Sequence, residues 1–194
     1  VAQGEQGGLV VMDEAYQPFS SRTWLDEIRR DPAANAQVLL MRTLSKFGLA
    51  GIRLGYMVGP AALVAEVDKV RPPYNVSVLN AECALFALAH ADVFAQQARV
   101  LREQRAWLQQ QLGALPGVTP FPSDANMLLV RLSAPSETPH DTAARVFAGP
   151  KARGVLIKNV SAMHPLLTGC LRLTVGTPDE NQRLMAALTE ALPA

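Results

Sequence analysis

Lys46 is the residue of this sequence best placed for covalent chemistry. It lies in Thr43-Leu44-Ser45-Lys46-Phe47-Gly48-Leu49-Ala50-Gly51, between two apolar runs, Val38 to Met41 and Ile52 to Val58. Short apolar runs of this kind read as buried strands, so the lysine occupies a strand-to-strand excursion at a sheet edge. A primary amine held beside a desolvated pocket forms a Schiff base with an aldehyde. The hydroxyls of Thr43 and Ser45, with a cation nearby, suit a phosphate. A Ser-Lys pair alone is an ordinary solvated turn, so a second, independent feature is needed.

That feature lies upstream. The apolar run Leu9-Val10-Val11-Met12 ends at Asp13-Glu14-Ala15-Tyr16, and open α/β sheets bind ligands at the carboxyl ends of their strands. A carboxylate such as Asp13 there can hold a protonated ring nitrogen. An aldehyde, a phosphate and a pyridine nitrogen meet in one cofactor, pyridoxal 5′-phosphate. Asp13 and Glu14 are neighbours on a strand end, so they point opposite ways and are not an acid–base pair. Further on, Arg172 is flanked by apolar residues in Leu171 to Val175. An arginine so placed is costly unless it meets an anion, the other reading being a surface ion pair.

The elements that must position these groups alternate. Strands are expected at Leu9 to Met12, Val38 to Met41 and Ile52 to Val58. A helix capped by Thr23 runs through Trp24, Leu25 and Ile28, stopping before Pro32. A second opens at Gly59-Pro60 and carries Leu63, Val64, Val67 and Val70. Strands alternating with helices imply α/β architecture with a doubly wound, mostly parallel sheet. Arg71-Pro72-Pro73-Tyr74-Asn75 breaks the pattern as a stiff extended segment, either a linker or a place where Tyr74 and Asn75 face a substrate.

From Asn80 the chain reads as helical. Leu85, Phe86, Leu88 and Ala89 are expected to pack one segment, and Phe94, Ala98, Leu101, Leu108 and Leu112 a second. The opposite face, with Arg102, Glu103 and Arg105, is expected to be solvated. A smaller α+β domain follows, with strands at Val118 to Thr119, Met127 to Arg131, Val155 to Ile157 and Leu171 to Val175. Its helices are expected at Asp141 to Phe147 and Glu180 to Leu192. Thr177-Pro178-Asp179-Glu180 is a helix-start signal. The division is thus 1–75 for the sheet domain, 76–115 for connecting helices and 116–194 for the small domain.

Composition narrows the function classes. The chain has 194 residues, 49% hydrophobic and 18% charged, with a net charge of +1. That is an ordinary globular composition, with no basic block to favour nucleic acid or an anionic membrane. No apolar run approaches a spanning length, and the expected compartment is the cytoplasm. Cys83 and Cys170 are far apart and read as reduced and buried. His90, His140 and His164 lack metal-site spacing, so no metal is expected; His164 is read as structural.

Asp13-Glu14-Ala15-Tyr16, followed by Thr43-Leu44-Ser45-Lys46 and Arg53, resembles the fold-type I pyridoxal-phosphate aminotransferases. Met41 to Lys46, Arg71 to Asn75 and Cys170-Leu171-Arg172-Leu173-Thr174-Val175-Gly176-Thr177 are most similar to the histidinol-phosphate aminotransferase family. The likeness covers about the second half of such an enzyme. With no initiating Met and an active-site type of Asp already at position 13, a fragment lacking its first half is expected.

The resemblance implies roles. Lys46 would hold the cofactor, Asp13 its ring nitrogen and Tyr16 its phenolic oxygen. Thr43, Ser45 and Arg53 would bind its phosphate. Arg172 would clamp the substrate, with Lys158, standing where many relatives have a second arginine, on a substrate anion. The implied reaction is a ping-pong exchange between L-histidinol phosphate and 2-oxoglutarate, giving glutamate, in a homodimer. An aminotransferase for another amino acid, a phosphothreonine decarboxylase of the same fold and a regulator's effector-sensing domain are the competing readings.

Overall fold

In the computed structural model, residues 8–192 are described, so the first seven residues of the 1–75 segment and the last two of 116–194 lie outside the described residues. Strand β1 (Val10–Asp13) pairs in parallel with β2 (Val38–Thr43), Val10 opposite Val38 and Asp13 opposite Met41. Helix α1 (Trp24–Arg30) makes the crossover, and the Thr23 side chain caps it by accepting from the Leu25 amide. Val38, Leu39 and Leu40 are all buried. Burial of successive residues means that both faces of β2 are covered, as in parallel α/β sheets.

Strand β3 (Gly55–Val58) returns antiparallel beside β2. The expected strand from Ile52 therefore begins three residues late. Ala50–Ile52 is a 3₁₀ turn, and Arg53 has a left-handed backbone (φ 48°), which a strand cannot contain. At Gly55 an added Cβ would stand 2.8 Å from the Arg42 carbonyl oxygen, so the ladder closes there on a glycine. A lysine loop, with no crossover helix, joins β2 to β3, which accounts for the change of direction.

Helix α2 is Ala61–Asp68, α3 is Val78–Ala89 and α4 is Ala91–Gly113. The packed face of α3 differs from expectation. Ala84 and Ala87 are buried, while Leu85, Phe86 and Leu88 are exposed. The small side chains let α3 approach the Ala50–Ile52 turn. Cys83 is exposed on the same helix, correcting its expected burial, whereas Cys170 is buried.

The chain divides into two units, Val1–Ala98 and Arg99–Ala194. The second is a four-stranded sheet in the order β4 (Val118–Pro120), β5 (Met127–Leu132), β7 (Cys170–Thr174), β6 (Lys158–Asn159). Leu128, Val130, Leu132, Leu171 and Leu173 alternate onto one face. There they pack with Leu108 and Leu112 of α4, Ala143 and Val146 of α5 (Pro139–Ala152), and Leu184 and Leu188 of α6 (Pro178–Ala191). The intervening Leu129, Arg172 and Thr174 belong to the other face.

The strand expected at Val155 to Ile157 is shifted to Lys158–Asn159. Helix α5 starts at Pro139, two residues earlier than expected, because Thr138 caps it and Pro139 fills the first turn. Arg105 is not simply solvated, since it donates to the Ala125 carbonyl at 2.8 Å. Helix α6 carries the expected capping box, with Thr177 and Glu180 bonded to each other's backbone amides. Among the described residues no single helix is long and apolar enough to cross a membrane.

Candidate active site

Both arms of the site in the first unit leave the carboxyl ends of the parallel pair β1–β2. On the β1 arm, Asp13 is exposed and its Oδ1 accepts from the Ala15 amide at 2.9 Å. This leaves its other oxygen free of that turn. Tyr16 then opens a 3₁₀ turn anchored by buried Phe19.

On the β2 arm, the Thr43 hydroxyl accepts from the Ser45 amide and donates to the Leu54 carbonyl, capping the 3₁₀ turn Leu44–Lys46. Buried Leu44 pins the turn, and its amide donates to the Leu54 carbonyl across the neck of the loop at 2.9 Å. Phe47 packs on Phe94 with ring centroids 4.9 Å apart. Gly48, at φ 101°, passes so close to Phe94 that a Cβ would meet its ring at 3.0 Å. The loop is therefore held at its neck and at its far side.

These supports bring Lys46 and Tyr16 together. Lys46 Nζ stands 5.2 Å from the centroid of the Tyr16 ring. Arg53 Nη1 donates to Ser45 Oγ at 3.4 Å. Amine, phenol and strand-end carboxylate thus share one end of the sheet, with a hydroxyl and a guanidinium paired on the same loop. This donor set fits pyridoxal 5′-phosphate, which needs an amine for its aldehyde, an acid for its ring nitrogen and cationic or hydroxylic donors for its phosphate. Thr43 differs from Ser45 in that its hydroxyl is committed to backbone groups of the loop.

Tyr74 and Asn75 lie on the loop before α3. Tyr74 is 98% exposed, and Asn75 Oδ1 accepts from Arg71 Nη1 at 2.9 Å. Tyr74 and Arg53 are nevertheless the non-glycine residues with positive φ among the described residues. Such strain persists where surrounding structure or function enforces it.

In the second unit, Lys158 and Arg172 are direct partners across the β6–β7 ladder. Arg172 also lies opposite Leu129 of β5. Its Nε is buried and has no hydrogen-bond partner among the described residues. Two cations thus share one face, and one of them has a buried donor with no partner among the described residues, the kind of group that an anion suits. His164 caps a 3₁₀ turn by accepting from the Leu166 amide at 3.1 Å, a structural use of its ring.

A pairing that sequence reasoning did not join, between Glu14 and Arg42, stands behind the β1 and β2 arms. Glu14 accepts from Arg42 Nη2 at 2.9 Å and from the Thr23 hydroxyl at 2.8 Å. Their adjacency to Asp13 and Thr43 was the available signal.

The sequence matches the family described as aminotransferase class I and II over residues 2–188. The chain belongs to this family. It is 63% identical over 192 residues to a histidinol-phosphate aminotransferase of Acidovorax sp. (strain JS42), covering 98% of this chain and 50% of that protein. With the histidinol-phosphate aminotransferase of Methylibium petroleiphilum it shares 65% identity over 184 residues, covering 95% of this chain and 46% of the relative. A crystal structure of histidinol-phosphate aminotransferase from Sinorhizobium meliloti in complex with pyridoxal-5′-phosphate superposes with a TM-score of 0.75 at 27% identity. That match covers 94% of this chain and 48% of the other. The chain spans about half the length of the curated relatives it matches. Its α/β fold is that of class I and II aminotransferases.

Proposed function

We propose that this chain carries the lysine-bearing part of a pyridoxal-phosphate-dependent enzyme. It transfers the amino group of L-histidinol phosphate to 2-oxoglutarate, giving imidazole acetol phosphate and glutamate, in histidine biosynthesis. The observation that carries this reading is the placement of Lys46 Nζ 5.2 Å over the Tyr16 ring, on the arm next to the one that bears Asp13. The names of the relatives support the choice of substrate.

In this reading Lys46 holds the cofactor, Asp13 pairs with its ring nitrogen and Tyr16 donates to its phenolic oxygen. Ser45 and Arg53 bind its phosphate, and Thr43 shapes the turn that presents them. When bound, pyridoxal phosphate supplies an electron-accepting ring beside the substrate carbon that bears nitrogen. Lys46 Nζ takes the proton leaving that carbon. Arg172 grips the carboxylate of glutamate in one half-reaction and the phosphorylated substrate in the other, with Lys158 adding a second positive charge. Tyr74 and Asn75 face the substrate from the loop before α3.

Residues 1–75 belong in this account to the cofactor domain, 76–115 to the connecting helices and 116–194 to the small domain. The active form is a cytoplasmic homodimer. A substrate panel on the whole enzyme tests the assignment. Preference for phosphorylated amino alcohol over plain amino acids is expected, together with loss of turnover in Lys46→Ala. A Lys46→Ala enzyme with wild-type turnover removes the mechanism, and indifference to the phosphate removes the substrate.

A further inference from the structure

Behind the two arms lies a polar cluster that touches none of the groups assigned to the cofactor. Glu14 follows Asp13, and Arg42 precedes Thr43, so both side chains leave their strands on the face opposite to those neighbours. Arg42 Nε and Nη2 both donate to Glu14 Oε2, at 3.2 and 2.9 Å. Arg42 Nη2 also donates to the Thr23 hydroxyl at 2.7 Å, and that hydroxyl donates to Glu14 Oε2 at 2.8 Å. The Trp24 amide, in the first turn of α1, donates to Glu14 Oε1. The Glu14 amide completes the ladder by donating to the Met41 carbonyl at 2.9 Å.

The cluster is shielded. The Arg42 and Glu14 side chains are only 16% and 12% exposed. Burial disfavours the Arg42 charge, yet hydrogen bonds to Tyr56 and Glu14 outweigh it and hold the guanidinium pKa above its ordinary value. Tyr56 lies directly across the β2–β3 ladder from Arg42. One guanidinium therefore ties β1, β2, β3 and the start of α1 together, a single residue away from Asp13 on one arm and from Thr43 on the other. A forked, always-charged donor fixes geometry in a way that a point charge does not.

We propose that Glu14 and Arg42 are positioning residues that set the register between the Asp13–Tyr16 arm and the Thr43–Lys46 arm. The inference rests on the cofactor reading above for its consequence, and on these contacts alone for its mechanics. A shared clamp makes two predictions that independent structural contacts do not. Loss of either partner loosens both arms together, and loss of the second adds nothing further.

The test uses the full 194-residue chain with Glu14→Gln, Arg42→Met and the double variant. Amide hydrogen exchange is read at Ala15 and Gln17 on one arm and at Ser45 and Phe47 on the other. Each single variant is expected to speed exchange about tenfold on both arms, with the double no faster than either. The dissociation constant for pyridoxal phosphate is expected to rise about tenfold in the same variants. Val146→Ala, in the buried core of the second unit, serves as the comparison. It lowers the melting temperature and leaves that constant unchanged.

Faster exchange on one arm only, additive effects in the double variant, or an equal affinity loss in Val146→Ala overturns the proposal. A wild-type chain that takes up no pyridoxal phosphate at Lys46 removes the cofactor reading instead, and the exchange pattern then decides the clamp by itself.

Discussion

Lys158 and Arg172 face each other across the β6–β7 ladder, two cations on one side of a sheet. Like charges directly opposite destabilise an antiparallel pair, and the buried, unpartnered Arg172 Nε adds a desolvation cost. An anion bridging them relieves both. In the whole enzyme, Arg172→Ala is expected to lower kcat/KM for both anionic substrates about 100-fold, the loss of a charge-assisted contact worth about 2.7 kcal/mol. Lys158→Arg is expected to stay within a few-fold of wild type. Arg172→Met should match or exceed the wild-type chain in urea unfolding, because it removes the unpaired charge from the sheet.

The glycines predict a contrast. At Gly117 the backbone has φ 71°, and an added Cβ would overlap the Ser133 carbonyl oxygen. Gly117→Ala is expected to cost about 2 kcal/mol or more, from the left-handed backbone and the clash. Nothing lies within 4 Å of a Cβ at Gly51, so Gly51→Ala should change stability by less than about 1 kcal/mol. Urea midpoints of the two variants decide this.

The start of α6 predicts an acid sensitivity. Hydrogen bonds from the Thr177 backbone amide, then from its hydroxyl, hold the Glu180 carboxyl below its ordinary pKa. A group depressed on folding stabilises above its unfolded pKa, about 4.3, and loses that contribution as pH falls through the folded value. Glu180→Gln should therefore be less stable than wild type at pH 7 and converge with it in acid. Thr177→Ala removes the cap and is expected to cost about 1 kcal/mol, while Thr177→Ser retains most of it.

Much of this architecture was legible because its signals are local. Thr23 and Thr177 announce their helices by a hydroxyl followed by suitable first-turn residues, and both caps are present. The apolar run at Val38 marked the central strand because both of its faces are buried. The Asp13 and Lys46 arms came from strand ends, which the parallel register brings to the same end of the sheet.

What escaped the sequence depends on contacts far apart in the chain. Burial of Ala84 and Ala87 in place of Leu85 and Phe86 reflects how closely α3 approaches a turn, which periodicity does not encode. The late start of β3 follows from the left-handed Arg53, a position where glycine would have been the visible signal. The Glu14–Arg42 pair spans 28 positions, and only the β1–β2 register joins it. The Lys158–Arg172 pair likewise needs the β6–β7 register, which placed β6 three residues beyond its expected start.

The proposed reaction depends on the Lys46 amine as the point of cofactor attachment. The most direct measurement is peptide mass mapping after the chain is mixed with pyridoxal phosphate and reduced with borohydride. The predicted result is one stable adduct, on Lys46, lost in Lys46→Ala and weakened in Asp13→Asn. An adduct spread over surface lysines such as Lys69 and Lys151, or one that persists unchanged in Lys46→Ala, would contradict it.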